Sequence, residues 1–479
     1  MELYSNIKEY LYDLYNVAKI FFPNKEIKRV ESRSGTAYNT ISCISTIENN
    51  SFINRITLCI QRKPLSITKT TKIDKWTPLL YKRYQKRAIK HALFEALSEL
   101  TAVKFPWGVL TGVRPTKLVY EMLENGLSLS KIKNELVANF SVSLPKAELL
   151  TKVVANQKGM SFSPNSADLY INIPFCTSKC SYCTFVSGDI AALHSFVEPY
   201  VNTLIHDVQK TLQLIKSKKL TLQNIYIGGG TPTSLPDELL DKLLSSFSVS
   251  AKEFTVEAGR PDTITKSKLD ILQKHKVTRI SVNPQTFNDS ILKQIGRSHS
   301  AQDVLTAYKL AREYPFVINM DLIAGLPNDT LTSFQNSINT CIDLDPDNIT
   351  VHTLAYKNAS ELTKQGQTQI QNSIVSQMVE YSNQTLQKAG YSPYYIYRQK
   401  NSVENLENVG YAKNGKVCAF NINSMEDFCS CIACGANGVS KRVFPATGKI
   451  IRTDSAKDLK TYIENINTML KRKEDLFNA

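Results

Sequence analysis

Beyond residue 165 the chain alternates short apolar runs with longer stretches of helical periodicity. The runs 169–173, 224–227, 253–257, 279–282, 317–323 and 348–353 are rich in β-branched and aromatic residues and predict strands. Helical patterns separate them, for instance over 237–244 and 301–312. Repeated strand–helix alternation predicts a parallel sheet with covering helices, and six such units predict an α/β partial (β/α)6 barrel of TIM type rather than a closed eightfold one. In such barrels the loops after successive strands share one mouth, so residues far apart in sequence become neighbours there.

The flanks read differently. Leu3, Ile7, Leu11, Leu14 and Val17 fall at helical spacing and predict a helix over 2–20, while 52–60 reads as a strand. A further helix is expected over 79–100, then turns at Phe105-Pro106-Trp107-Gly108 and around Gly112 and Pro115, then two helical patterns ending near Val154. Residues 1–160 are therefore expected to form an α+β accessory domain. The polar stretch 161–166 reads as a linker to a barrel over 165–390. Mixed strand signals around Tyr394, Tyr395 and Tyr397 make 391–479 an expected C-terminal extension or cap.

With 479 residues, 42% hydrophobic and 21% charged, the chain has ample material for two or three domains. Ten cysteines without a secretory leader argue for a reducing compartment, and no apolar run is long enough for a membrane span, so a cytoplasmic location is expected. Net charge is +15, much of it between Gln61 and Lys90, where ten Lys and Arg face Asp74 alone. Such a run attracts polyanions or is a solvated basic face, and composition does not choose between them.

Cys176, Cys180 and Cys183 lie in the loop after the first barrel strand. Three closely spaced thiolates under-fill a four-iron cubane, which normally takes four, and a metal with an open position signals chemistry. Structural zinc needs four ligands, and the nearest histidine, His194, lacks metal-ligand spacing from Cys183. Later loops add Gly228-Gly229-Gly230-Thr231, where glycines admit close backbone approach, and the polar residues Glu257, Gln285, Arg297 and Asp321. Each of these has a structural alternative as a satisfied strand-end group; their convergence on a cysteine loop favours a ligand site. A second group, Cys429, Cys431 and Cys434, lacks an apparent fourth ligand; alternation on a strand places Cys429 and Cys431 on one face.

The run Tyr170-Ile171-Asn172-Ile173-Pro174-Phe175-Cys176, the three-Cys loop, Gly228 to Thr233, Ile295-Gly296-Arg297-Ser298-His299 and Asn319 to Pro327 together resemble the radical S-adenosylmethionine superfamily. More narrowly they resemble its oxygen-independent coproporphyrinogen III dehydrogenase (oxidase) family. Trp107 to Lys117, Gln399-Lys400 and Glu407-Asn408-Val409-Gly410-Tyr411 are similar to the HemZ branch. The resemblance implies that Cys176, Cys180 and Cys183 hold a [4Fe–4S] cluster and that S-adenosylmethionine binds its free iron. It implies S-adenosylmethionine contacts from Tyr170, Gly229, Gly230, Thr231, Glu257, Gln285, Arg297, Asp321 and Ala324, with Arg297 pairing the carboxylate. The implied reaction starts with hydrogen abstraction by a 5′-deoxyadenosyl radical and turns two propionates of coproporphyrinogen III into vinyl groups, giving protoporphyrinogen IX.

The partners implied are a tetrapyrrole substrate and an electron donor such as flavodoxin or ferredoxin, with no nucleic acid and a monomeric state expected. The substrate's four carboxylates give the Gln61–Lys90 charges, with Arg114 and Lys117, a candidate role. The chain departs from the main dehydrogenase pattern at Asn172, where His is usual, at Phe185, where a further Cys is usual, and at Asn283-Pro284 before Gln285. The rival readings are a radical enzyme acting on another tetrapyrrole, such as a haem-opening methyltransferase, a haem-binding chaperone sharing the barrel, and a nucleic-acid-modifying radical enzyme.

Overall fold

The computed structural model describes residues 1–32, 38–73, 78–160, 163–185, 187–356, 360–364, 373–444 and 447–478. Asp74 and Lys75 of the basic run, and Ser161 and Phe162 of the expected linker, lie outside them. The chain divides into two compact units, Met1–Lys152 and Val153–Ala479.

In the first unit five strands, β1 (Glu2–Ser5), β2 (Lys28–Val30), β3 (Thr40–Glu48), β4 (Ser51–Ile60) and β5 (Lys63–Lys72), pair in the order β2-β1-β3-β4-β5. The helix expected over 2–20 is corrected here: its first residues are β1, and the helix spans Leu11–Phe21. Leu3 suits either element, and parallel pairing of β1 with both β2 and β3 decides for the strand. The helix Pro78–Thr101 buries Ala88, Ile89, Ala92, Leu93, Ala96 and Leu97 at helical spacing and packs on β3, β4 and β5. Its other faces carry part of the basic run, and four of those cations meet carboxylates, as does Lys69 of β5. Lys82 meets Glu9 at 3.3 Å, Lys86 meets Asp13 at 3.6 Å, Arg83 and Arg87 share Glu121 at 2.6 and 3.4 Å, and Lys69 meets Glu95 at 2.5 Å.

The second unit is built on one eleven-stranded sheet. At its centre lie the six expected strands, β6 (Ser166–Ile173), β9 (Thr221–Gly229), β10 (Glu253–Val256), β11 (Arg279–Ser281), β12 (Val317–Ala324) and β13 (Asn348–Thr353), paired parallel in chain order. A short parallel pair, β7 (Phe175–Cys176) with β8 (Gly188–Asp189), brackets the cysteine loop. Every residue of β10 and β11 is buried, as in strands covered on both faces, and their polar residues Glu253, Thr255, Arg279 and Ser281 are buried along with the apolar ones. Helices cross between successive strands; Ala301–Arg312 starts at a capping box formed by Ser300 and Asp303.

Residues after 391 add five strands to the same sheet. β14 (Ser392–Arg398) and β15 (Glu407–Ala412) extend it antiparallel beyond β13. β16 (Ser430–Cys434) pairs parallel with β6 on the far side and is followed by β17 (Val439–Phe444) and β18 (Lys449–Asp454). Phe420, from the helix Ala419–Glu426, stacks on Tyr226 with ring centroids 4.4 Å apart and packs beside Tyr170, Tyr394 and Tyr395. No helix among the described residues is long and apolar enough to cross a membrane.

Candidate functional site

A cavity of about 380 Å³, of the size that takes a small cofactor, opens at the C-terminal ends of the parallel strands. Cys176, Cys180 and Cys183 line it on the loop after β6, and Gly229, Gly230 and Thr231 line it after β9. Glu257, Gln285, Arg297 and Asp321, from four further segments, complete the convergence that the strand order predicts. Two of the expected residues do not line the cavity itself. Tyr170 stacks behind Tyr226, at 6.2 Å between centroids, and donates to Asn172 Oδ1 at 3.2 Å. Ala324 is fully buried in β12 and accepts the Leu354 N–H at 3.0 Å, whereas Ala355 lines the cavity.

The cysteine loop is pinned from several directions. Ser178 Oγ donates to the Gly296 carbonyl at 3.0 Å, the Ser181 N–H to Ile295 at 3.0 Å, and the Ile190 N–H to Cys176 at 2.9 Å. The glycines beside it have no spare room. A Cβ on Gly230 would lie 2.4 Å from the Phe175 oxygen and 3.0 Å from Cys176 Sγ, and one on Gly229, at φ +110°, would lie 2.0 Å from Asn172 Oδ1. Asn172 therefore fills a structural slot, its amide donating to the Ala436 carbonyl at 2.6 Å. Phe185, 66% exposed, stands at the cavity rim.

The polar wall is only partly satisfied. Arg297 donates to the Asn283 carbonyl at 2.7 Å and to Tyr182 OH at 3.2 Å, leaving its buried Nε without a partner. Gln285 adopts φ +65°, held by its N–H to Asp321 at 2.9 Å and by the Ile323 N–H to its own carbonyl at 3.0 Å; its buried Oε1 has no partner. Glu257 accepts from Tyr226 OH at 2.6 Å, but burial, with Asp321 nearby, pushes its carboxyl up to about 7. Burial acts on Asp321 as well, yet His352 and the Asn319 amide, 2.7 Å away, hold its carboxyl below the ordinary value. His352 also bonds Tyr397 OH at 3.1 Å.

Arg260, Tyr182, Tyr226, His352 and Tyr397 line the cavity although no sequence pattern singled them out. Arg260 had a signal, three residues after Glu257 in the same strand-end loop. The tyrosines and His352 face inward only through the pleat of their strands or the fold of the cysteine loop.

The donor set suits an iron–sulfur cubane. Three thiols share one wall, Cys176 and Cys183 pushed up by burial in their free state, while Thr231 Oγ1 and Arg260 Nη1 each lie 3.6 Å from a cysteine sulfur. Among the described residues no three His, Cys, Asp or Glu side chains are grouped as one metal ion needs. A cubane spreads its ligands over separate irons instead. The second cysteine group divides, Cys434 facing Thr211 at 3.2 Å and Cys431 packing beside the Tyr170–Tyr226–Phe420 rings.

Comparison with known proteins gives the same result. Residues 170–341 match the Radical SAM superfamily. The chain is 38% identical over 392 residues to the oxygen-independent coproporphyrinogen-III oxidase-like protein HemZ of Bacillus subtilis, taking in 79% of this chain and 78% of that protein. It is 41% identical over 192 residues to the heme chaperone HemW of the same organism, covering 39% of this chain and 49% of the other. The structure of coproporphyrinogen III oxidase (HemN) from Escherichia coli superposes with a TM-score of 0.51 at 20% identity, over 66% of this chain and 73% of that one, which shows a shared fold. The chain belongs to the radical SAM superfamily, in the family of oxygen-independent coproporphyrinogen-III oxidase-like proteins that includes HemZ, and its cofactors are a [4Fe–4S] cluster and S-adenosylmethionine.

Proposed function

We propose that the protein catalyses the oxidative decarboxylation of two propionate side chains of coproporphyrinogen III to vinyl groups. Each conversion removes one hydrogen atom, one carbon dioxide and one further electron, which passes to an acceptor. The observation that supports this reading is the extent of the likeness to a coproporphyrinogen-III oxidase-like protein, which covers 79% of the chain rather than the 170–341 core alone.

In this reading Cys176, Cys180 and Cys183 hold the cluster, reduced by a small donor of flavodoxin or ferredoxin type. When bound, the two cofactors supply a one-electron route to hydrogen abstraction from an unactivated carbon. The chain's part is binding and orientation. Gly229 and Gly230 let the backbone approach the ligand, and Arg297, with its free Nε, pairs the ligand carboxylate. Glu257, poised near neutrality, gives up its proton when a cationic ligand settles beside it. Gln285 and Asp321 accept from the amino and hydroxyl groups, Asp321 kept ionised by His352. Tyr226, Tyr395 and Tyr397 present aromatic surface that limits water.

A second reading, delivery of haem without turnover, is favoured by the 41% identity to a heme chaperone. One experiment separates the two. Protein reconstituted anaerobically with iron and sulfide is given S-adenosylmethionine, a reductant and coproporphyrinogen III. 5′-Deoxyadenosine formed together with vinyl product supports the dehydrogenase; stoichiometric haem binding with neither product supports the chaperone.

A further inference from the structure

Arg260 sets a cation against a cysteine of the loop after β6, and nothing in the reaction above uses it. Its side chain is 3% exposed, and Nη1 donates to Cys180 Sγ at 3.6 Å. Cys180 is the only one of the three loop cysteines that is buried, so its surroundings respond least to solvent. The guanidinium is clamped from behind, with Nε on Asp262 Oδ1 at 3.1 Å and Nη2 on Ser298 Oγ at 3.0 Å. Its backbone is fixed as well, because the Thr263 N–H and Oγ1 both donate to the Arg260 carbonyl, at 2.9 and 2.7 Å. Asp262 in turn accepts from Thr177 Oγ1 of the cysteine loop at 2.8 Å, so loop, acid and guanidinium form one unit.

We propose that Arg260 is a positioning residue that raises the reduction potential of the cluster, by holding a permanent positive charge and an N–H···S bond against Cys180. Hydrogen bonds to the ligand sulfurs and local net charge are the levers a protein has on such a potential. A guanidinium keeps its charge at any working pH, and a planar fork held at three points cannot swing away. The extra electron of the reduced cluster is stabilised by the nearby cation, which makes reduction by a low-potential donor easier. The inference rests on Cys176, Cys180 and Cys183 being the cluster ligands.

The test is a redox titration of the anaerobically reconstituted full-length protein, with dithionite as the one-electron donor and the EPR signal of the reduced cluster as readout, alongside iron content. Arg260→Gln lowers the ratio of reduced to oxidised cluster at a fixed potential about tenfold, about 59 mV for a one-electron couple. Arg260→Lys, which keeps the charge, falls between it and the wild type. Asp262→Asn removes the neighbouring anion and shifts the ratio the other way, whereas mere loosening of the loop would move all variants alike. Opposite shifts at wild-type iron content support the role. Shifts of one sign, or none, overturn it, as does loss of iron from both Arg260→Gln and Arg260→Lys, which would make Arg260 a cluster-retaining residue. Wild-type protein that takes up no iron and gives no signal would instead overturn the ligand reading beneath it.

Discussion

Lys82, Arg83, Lys86 and Arg87 of the Met1–Lys152 unit and Arg297 of the Val153–Ala479 unit are all cations, but their surroundings differ. The first four each meet a carboxylate at the protein surface, an arrangement that contributes about 0–1 kcal/mol per pair. Arg297 is buried against backbone carbonyls and a phenol, with Nε unmatched, and Gln285 Oε1 and Ser281 Oγ of the same cavity are unmatched too. A buried polar group without a partner costs about 1–3 kcal/mol, a cost a ligand removes when it supplies the missing bonds. Charge density along the sequence left the first region open as a polyanion site or a solvated face. Unsatisfied burial points to the second as a ligand site.

The contrast is broken most severely by Cys180→Ser, which leaves two ligands. Iron per chain after reconstitution is expected to fall close to zero; a wild-type iron content would sink the assignment of the site. Glu257 gives the next largest effect. Its folded carboxyl titrates near 7 and its unfolded one near 4.5, so the folded state keeps a proton that the unfolded state has already released. Stability of the ligand-free protein therefore falls as pH rises across that window, by about 3 kcal/mol from this group. Asp168, pushed up to about 6 by burial, adds a slope of the same sign, so the quantity to measure is the difference between denaturation of the wild type and of Glu257→Gln at pH 5 and pH 8. Equal slopes in the two proteins would count against the buried carboxyl.

Arg297→Gln is expected to weaken S-adenosylmethionine binding about 10- to 100-fold, the worth of a charge-assisted bond, with iron content unchanged. Anaerobic calorimetry reads this directly, and wild-type affinity would remove Arg297 from the binding wall. Smallest is the combined change of Lys82, Arg83, Lys86 and Arg87 to Gln. Coproporphyrinogen affinity should move less than about twofold, since their charges are already answered by Glu9, Asp13 and Glu121. A tenfold loss would restore the basic run as a tetrapyrrole surface.

These regions were also unequally legible in the sequence. The central strands stood out through short runs rich in apolar and β-branched residues, as over 169–173, each followed by turn signals and a helical pattern. Strand β1 was hidden because Leu3 and Ile7 also fit a helix and only pairing across the sheet decides. The cysteines and seven of the nine residues that the family resemblance implied, Gly229, Gly230, Thr231, Glu257, Gln285, Arg297 and Asp321, line one cavity, a convergence legible in the order of strands and loops. Arg260 escaped because its meaning lies in a bond to Cys180, 80 residues earlier, and no local spacing encodes that. Tyr170 and Ala324 show the converse, since a residue can sit inside a recognisable motif without lining the cavity.

The parallel pairing of β16 with β6 governs when the strand leading into the cysteine loop gains its second neighbour during synthesis. Asn172 and Ala436, whose side-chain bond closes that seam, are separated by 264 residues. A ribosome needs tens of seconds to cover that distance. Until it does, the strand leading into the cysteines has one open edge, which a chain ending upstream of residue 430 would keep exposed as a sticky flank.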